Sequence, residues 1–138
     1  MSTTKVTSLT AMLKSIPVQP VMGAEATAQL LEILGECSIT CEMCADACLA
    51  EAMVADLGRC ITLDLYCAEM CDATAHFVAH TSEADIALLQ SGLQHCAEAC
   101  RACADECSVH ASMMEHCHIC AEVCRRCVQA CNDASAML

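Results

Sequence analysis

Large aromatic side chains are nearly absent: the chain has one Phe, one Tyr and no Trp. Such rings usually dominate core burial, so something else must fill this interior. Residues that break regular structure are also scarce, with two Pro and four Gly in 138 residues. That leaves little room for a fold built on turns. Positive charge is the third shortage: six Lys and Arg stand against eighteen Asp and Glu, a net charge of −12. Phosphate binding needs clustered Lys and Arg, so no nucleic-acid partner is expected. The acidic balance gives a solvated surface and suits a chain that takes in cations. No uncharged window reaches the length of a bilayer crossing, so the mean hydropathy of +0.47 reflects Cys and Ala and no membrane segment is expected. Residues Met1 to Pro20 show no arginine pair, no continuous apolar stretch and no A-x-A site, so no export signal is expected either.

What the chain does contain is cysteine, sixteen in all. This density normally points to a secreted disulfide scaffold. Without export the thiols meet a reducing compartment and stay reduced, and the expected location is the cytosol. The length fits one domain with a single core. Free Cys can act as a small buried hydrophobe, so only its spacing can say whether it does more.

Pro17 and Pro20 set off a short segment, residues 1–23, as a short helix or disordered stretch before a domain over 24–138. From Ala24 onward there is no proline, and Ala, Leu, Glu and Met dominate, all strong helix formers. Four helices are expected, at about Glu25 to Ala50, Ala52 to His80, Ser82 to His110 and Ser112 to Ala136. Thr81-Ser82-Glu83-Ala84-Asp85 resembles an N-cap with acids in the first turn, and Ser112-Met113-Met114-Glu115 matches a capping box. Short connections between long helices favour an up-down-up-down antiparallel four-helix bundle, an all-α fold.

The cysteines fall into stripes. The first helix carries Cys37, Cys41, Cys44 and Cys48, and the third repeats that 4-3-4 spacing with Cys96, Cys100, Cys103 and Cys107. The fourth carries Cys117, Cys120, Cys124, Cys127 and Cys131, and the second only Cys60, Cys67 and Cys71. At roughly 100° per residue each set stays within a stripe about 40 to 80° wide. These are the a and d positions of a heptad, so the core seam itself is cysteine. Leucine packs better there and does not oxidise, which argues against mere filling. Helical neighbours three or four apart have Cβ atoms about 5–6 Å apart, too far for a disulfide, which wants roughly 3.5–4.5 Å. Metal remains. A structural zinc site closes on four ligands, and iron–sulfur motifs sit on loops that this chain lacks. Soft thiolates select copper(I), zinc or iron–sulfur. Copper(I) tolerates two or three sulfurs, so a continuous row of thiols can fill with many ions, each neutralising a buried thiolate. Zinc or cadmium sequestration in thiolate clusters is the alternative. No acid–base pair or nucleophile stands apart from the thiols, so no catalysis is expected.

The stretches CEMCADACLAEAMVADLGRC, LDLYCAEMCDAT and CAEACRACADECSVHASMMEHCHICAEVCRRCVQAC resemble the cysteine-rich four-helix-bundle copper storage proteins, over essentially Glu36 to Leu138. The similarity is to the cytosolic branch. It implies multinuclear Cu(I) binding inside each bundle, no catalysis, and assembly of bundles into homotetramers.

The stripes are off-centre. Cysteines crowd the end where the first and third helices finish, while Leu30, Ile33, Leu34 and Leu89 plug the other. Copper is therefore expected to pass through the end at Ala50 to Val54 and His110 to Met113. Four other residues share the stripes: Met53, Asp64, His110 and Met113. Met53, His110 and Met113 can hand ions inward, and Asp64 replaces a seam cysteine in the second helix, where the family tends to have Asn. His116 lies at the stripe's edge as a weaker candidate. His76, His80, His95 and His118 project elsewhere and are expected at the surface. Ile61, Leu65, Tyr66, Ile119 and Val123 are surplus apolar residues that suit burial between bundles in a homo-oligomer.

Overall fold

A computed structural model describes residues 7–138. The described chain is all-helical: α1 (Ser8–Ser15), α2 (Ala24–Ala50), α3 (Gly58–Ala79), α4 (Ile86–His110) and α5 (Glu115–Ala136), with a 3₁₀ turn at Val54–Asp56 between α2 and α3. The four long helices form the expected bundle. Each packs on two neighbours, α2 on α3 and α5, α4 on α3 and α5. Among the described residues no helix is long and apolar enough to cross a membrane.

Within the N-terminal segment, Ser8–Ser15 are helical. Thr7 caps α1, its hydroxyl accepting from the Thr10 amide at 3.4 Å. Leu13 packs with Ala24 and Ala28 in a small cluster separate from the main core, and Lys14 pairs with Glu25 at 2.7 Å. Gly23, with φ +87°, turns the chain into α2, a backbone region that favours glycine.

Three helix starts lie further along than the composition suggests. The Ala52-to-Leu57 stretch is not the start of the second long helix. The chain leaves the helical region at Glu51 (ψ 145°) and turns through the 3₁₀ segment before α3 begins at Gly58. Good helix formers give way because the chain must reverse and bury Leu57. α4 starts at Ile86, not Ser82: Asp85 is the cap, its carboxylate accepting from the Leu88 amide at 3.0 Å. The Ser112 capping box does not form. Met114 occupies the N-cap of α5 without a side-chain bond, and its burial against the core outweighs the polar cap.

The plug is as expected at one end: Leu30 and Leu34 are buried, with Ile33 and Leu89 packed against the core. Leu93 and Val78 complete it. The surplus apolar set divides. Leu65, Tyr66 and Ile119 are exposed, whereas Val123 is a core residue and Ile61 leans on the core. His76, His80, His95 and His118 are all at the surface.

Candidate metal centre

All sixteen cysteines are free and buried. Spacings of three, four and seven hold each stripe on the inner face of its helix, and the antiparallel packing puts the stripes in register. Between α2 and α5 the facing sulfurs are Cys37 and Cys124 at 3.9 Å, Cys41 and Cys120 at 3.8 Å, and Cys44 and Cys117 at 4.0 Å. Between α3 and α4 they are Cys60 and Cys107 at 3.7 Å, Cys67 and Cys100 at 3.4 Å, and Cys71 and Cys96 at 3.8 Å. Across the diagonal, Cys67 lies 3.9 Å from Cys124 and Cys71 3.9 Å from Cys127. The result is a column of thiols along the bundle axis.

These separations exceed a disulfide bond of about 2.05 Å and bracket an ion with metal–sulfur bonds near 2.3 Å. Four-sulfur groups recur along the column: Cys37, Cys41, Cys67 and Cys124; Cys37, Cys67, Cys71 and Cys100; Cys41, Cys103, Cys120 and Cys124. They share members. An ion that closes one tetrahedral set takes ligands from the next, whereas an ion content with two or three sulfurs lets every shared thiolate bridge. The overlap therefore favours copper(I) over zinc.

Asp64 sits in the α3 seam, buried, where the stripe would place a cysteine. Its Oδ1 accepts from Cys103 at 3.1 Å, Cys120 at 3.3 Å and Cys107 at 3.5 Å. Burial first, then the neighbouring Cys120 and Cys103, push its carboxyl up to about 10, so it is protonated in the metal-free core near neutrality. Nearer the loops, burial raises Cys48 and pushes Cys117 up to about 11.

The cysteine-rich end differs in detail from expectation. Leu57 and Met114 are buried there and roof the column, and Met53 packs against it half-buried. Met113 points outward, 62% exposed. His110 has a side chain only 12% exposed, held by Glu106 at 2.9 Å, with Arg59 on the other Glu106 oxygen at 3.3 Å. The histidine that reaches the thiols is His116. Its Nδ1 lies 3.4 Å from Cys44 Sγ and 3.6 Å from Cys117 Sγ, and its Nε2 3.3 Å from Glu51. Its position directly before Cys117, off the strict stripe, concealed this. The available signal was a neighbour in sequence to a terminal cysteine.

The sequence profile of the family described as "Copper storage protein" matches residues 23–136. This chain belongs to that family. A copper storage protein of Streptomyces lividans, solved loaded with 10 copper equivalents, is 43% identical, with a TM-score of 0.90 over 94% of this chain and 99% of that one. A second structure, of copper loading to a cytosolic copper storage protein from Streptomyces lividans with five coppers, is 47% identical, with a TM-score of 0.80 over 81% of this chain and 93% of the other. An uncharacterized cysteine-rich protein of Bacillus subtilis, YhjQ, is 30% identical over 87 residues, 63% of this chain and 75% of that protein. The family match and the thiol column agree: the chain is a copper storage protein by family, and its core is built to hold many thiophilic ions.

Proposed function

We propose that the sixteen cysteines are the ligands of a multinuclear copper(I) store inside the bundle, in the cytosol, and that the chain buffers copper without catalysing a reaction. The observation that carries this is the column of facing sulfurs, paired across helices at 3.4–4.0 Å and gathered into overlapping groups of four. Each Cu(I) that enters displaces thiol protons and offsets thiolate charge, which lowers the cost of filling a buried column. Asp64 joins it: copper nearby favours its carboxylate over the protonated form, and Oδ2 has no other partner.

Residues 24–138 form the copper-binding domain and α1 an accessory clasp. Met53, His110 and Met113 form the outer approach, with His116 behind them as the first firm stop. Thioether and imidazole offer weaker sites than paired thiolates, so an ion can arrive and move inward. Exposed Leu65, Tyr66 and Ile119 suit assembly into homo-oligomers, for which the family resemblance implies tetramers.

Cys124 tests the ligand assignment. It lies within 4.0 Å of Cys37, Cys41, Cys67 and Cys120. Replacing it with alanine should lower the copper tightly held per chain by about one to two ions, measured by elemental analysis after anaerobic loading and desalting. Unchanged capacity would remove the column from the assignment.

A further inference from the structure

Three buried side-chain atoms lack a hydrogen-bond partner among the described residues: Thr27 Oγ1, Asp64 Oδ2 and Thr74 Oγ1. Thr27 lines a cavity of about 20 Å³ beside Met22, Val78 and Leu89, room for one water. Asp64 is already set against three thiols by its other oxygen. Thr74 has neither explanation.

Register says what it faces. α3 and α5 run parallel across the bundle diagonal. Their facing side chains are Asp64 with Cys120, Cys67 with Cys124, and Cys71 with Cys127. By the same spacing, the next step along both helices is Thr74 on α3 and Cys131 on α5, which share a level of the bundle, and both are wholly buried. Cys131 is the innermost thiol of α5; beyond it lie the apolar Leu93, Leu30 and Ala134. The α3 seam therefore reads Cys60, Asp64, Cys67, Cys71, Thr74, and its two departures from cysteine are both polar.

A helical threonine commonly returns its hydroxyl to a carbonyl one turn back. Thr74 does not, so its donor is unspent. Threonine in a helix divides between two χ1 rotamers, so the hydroxyl can turn towards Cys131 without backbone movement. A thiol is a weak acceptor, but a copper-bound thiolate is an anion, and charge-assisted hydrogen bonds are about twice as strong as neutral ones. Where an ion binds two thiolates the site keeps one negative charge, and the buried Leu93, Leu30 and Ala134 beyond it are apolar.

We propose that the Thr74 hydroxyl donates to the Cys131 thiolate when copper occupies the inner end of the column, which makes Thr74 the positioning residue of the innermost copper site. This rests on the copper(I) storage reading. The test uses reduced wild-type protein, Thr74→Val and Thr74→Ser. Each is loaded anaerobically with Cu(I) and then challenged with a graded high-affinity Cu(I) chelator. The valine variant should surrender its first ions at about tenfold less chelator, equivalent to about 1.4 kcal/mol, while serine behaves as wild type. Without metal, the valine variant should melt at or above the wild-type temperature, because it no longer buries an unpartnered hydroxyl. Identical retention curves for valine and wild type would overturn the proposal. So would a serine variant as leaky as valine, or a metal-free valine variant melting well below wild type. Wild-type protein holding only one or two ions would overturn storage itself and this proposal with it, a result that the untreated control reports separately.

Discussion

At the residue scale, the buried carboxyl of Asp64 has a measurable consequence before any copper binds. Its ordinary value of 3.8 applies in the unfolded chain, and burial lifts it to about 10 in the fold. Between those values the unfolded chain releases a proton that the folded chain keeps. Stability is therefore greatest in acid and falls as pH rises, by at most about 1.4 kcal/mol per pH unit from this group. Denaturant unfolding of the reduced, metal-free protein at pH 5.5 and 7.5 should show the higher midpoint at 5.5, and Asp64→Asn should shrink the difference. A wild-type midpoint that rises with pH would contradict the buried, protonated carboxyl. Asp64 was legible in the sequence because it keeps the angular phase of Cys60, Cys67 and Cys71. His116 was much less so. Its ring reaches Cys44 from the edge of the α5 stripe, and that reach depends on side-chain direction and on how closely α2 and α5 approach, neither of which periodicity encodes.

At the scale of elements, the long helices and their inner faces follow from spacing alone, since a 4-3-4 pattern allows one face. The helix starts do not. Thr81-Ser82 and Ser112 carry good capping chemistry, yet Asp85 and Met114 open the helices. Where the chain reverses, burial of Leu57 and Met114 outweighs a cap worth about 1 kcal/mol. Those same loops are the approach in the proposed entry route. His110 is tethered to Glu106 and Met113 is exposed, so both sit outside the paired thiolates. Replacing both with alanine should slow copper uptake from a weak donor and its removal by a chelator, while leaving the final capacity unchanged. Stopped-flow exchange at the wild-type rate would show that copper passes by another route.

At the scale of the whole molecule, the bundle should hold together without metal, as circular dichroism of the metal-free protein would show, because leucines pack one end and alanines close the seams: Leu34, Leu93, Ala68 and Ala104 are wholly buried. Copper then adds stability by mass action, as a ligand that binds only the folded chain. This differs from a zinc finger, where the ion is the fold. The acidic surface, with a net charge of −12, lies outside a core whose own charge is set by how many thiolates have met a cation. The most direct measurement is an anaerobic titration of the reduced protein with Cu(I), in parallel with Zn(II), followed by desalting and elemental analysis. Storage along a shared column requires many copper ions per chain, well beyond the one ion that a four-ligand site holds, and fewer zinc ions than copper. Saturation at one or two copper ions per chain would contradict it.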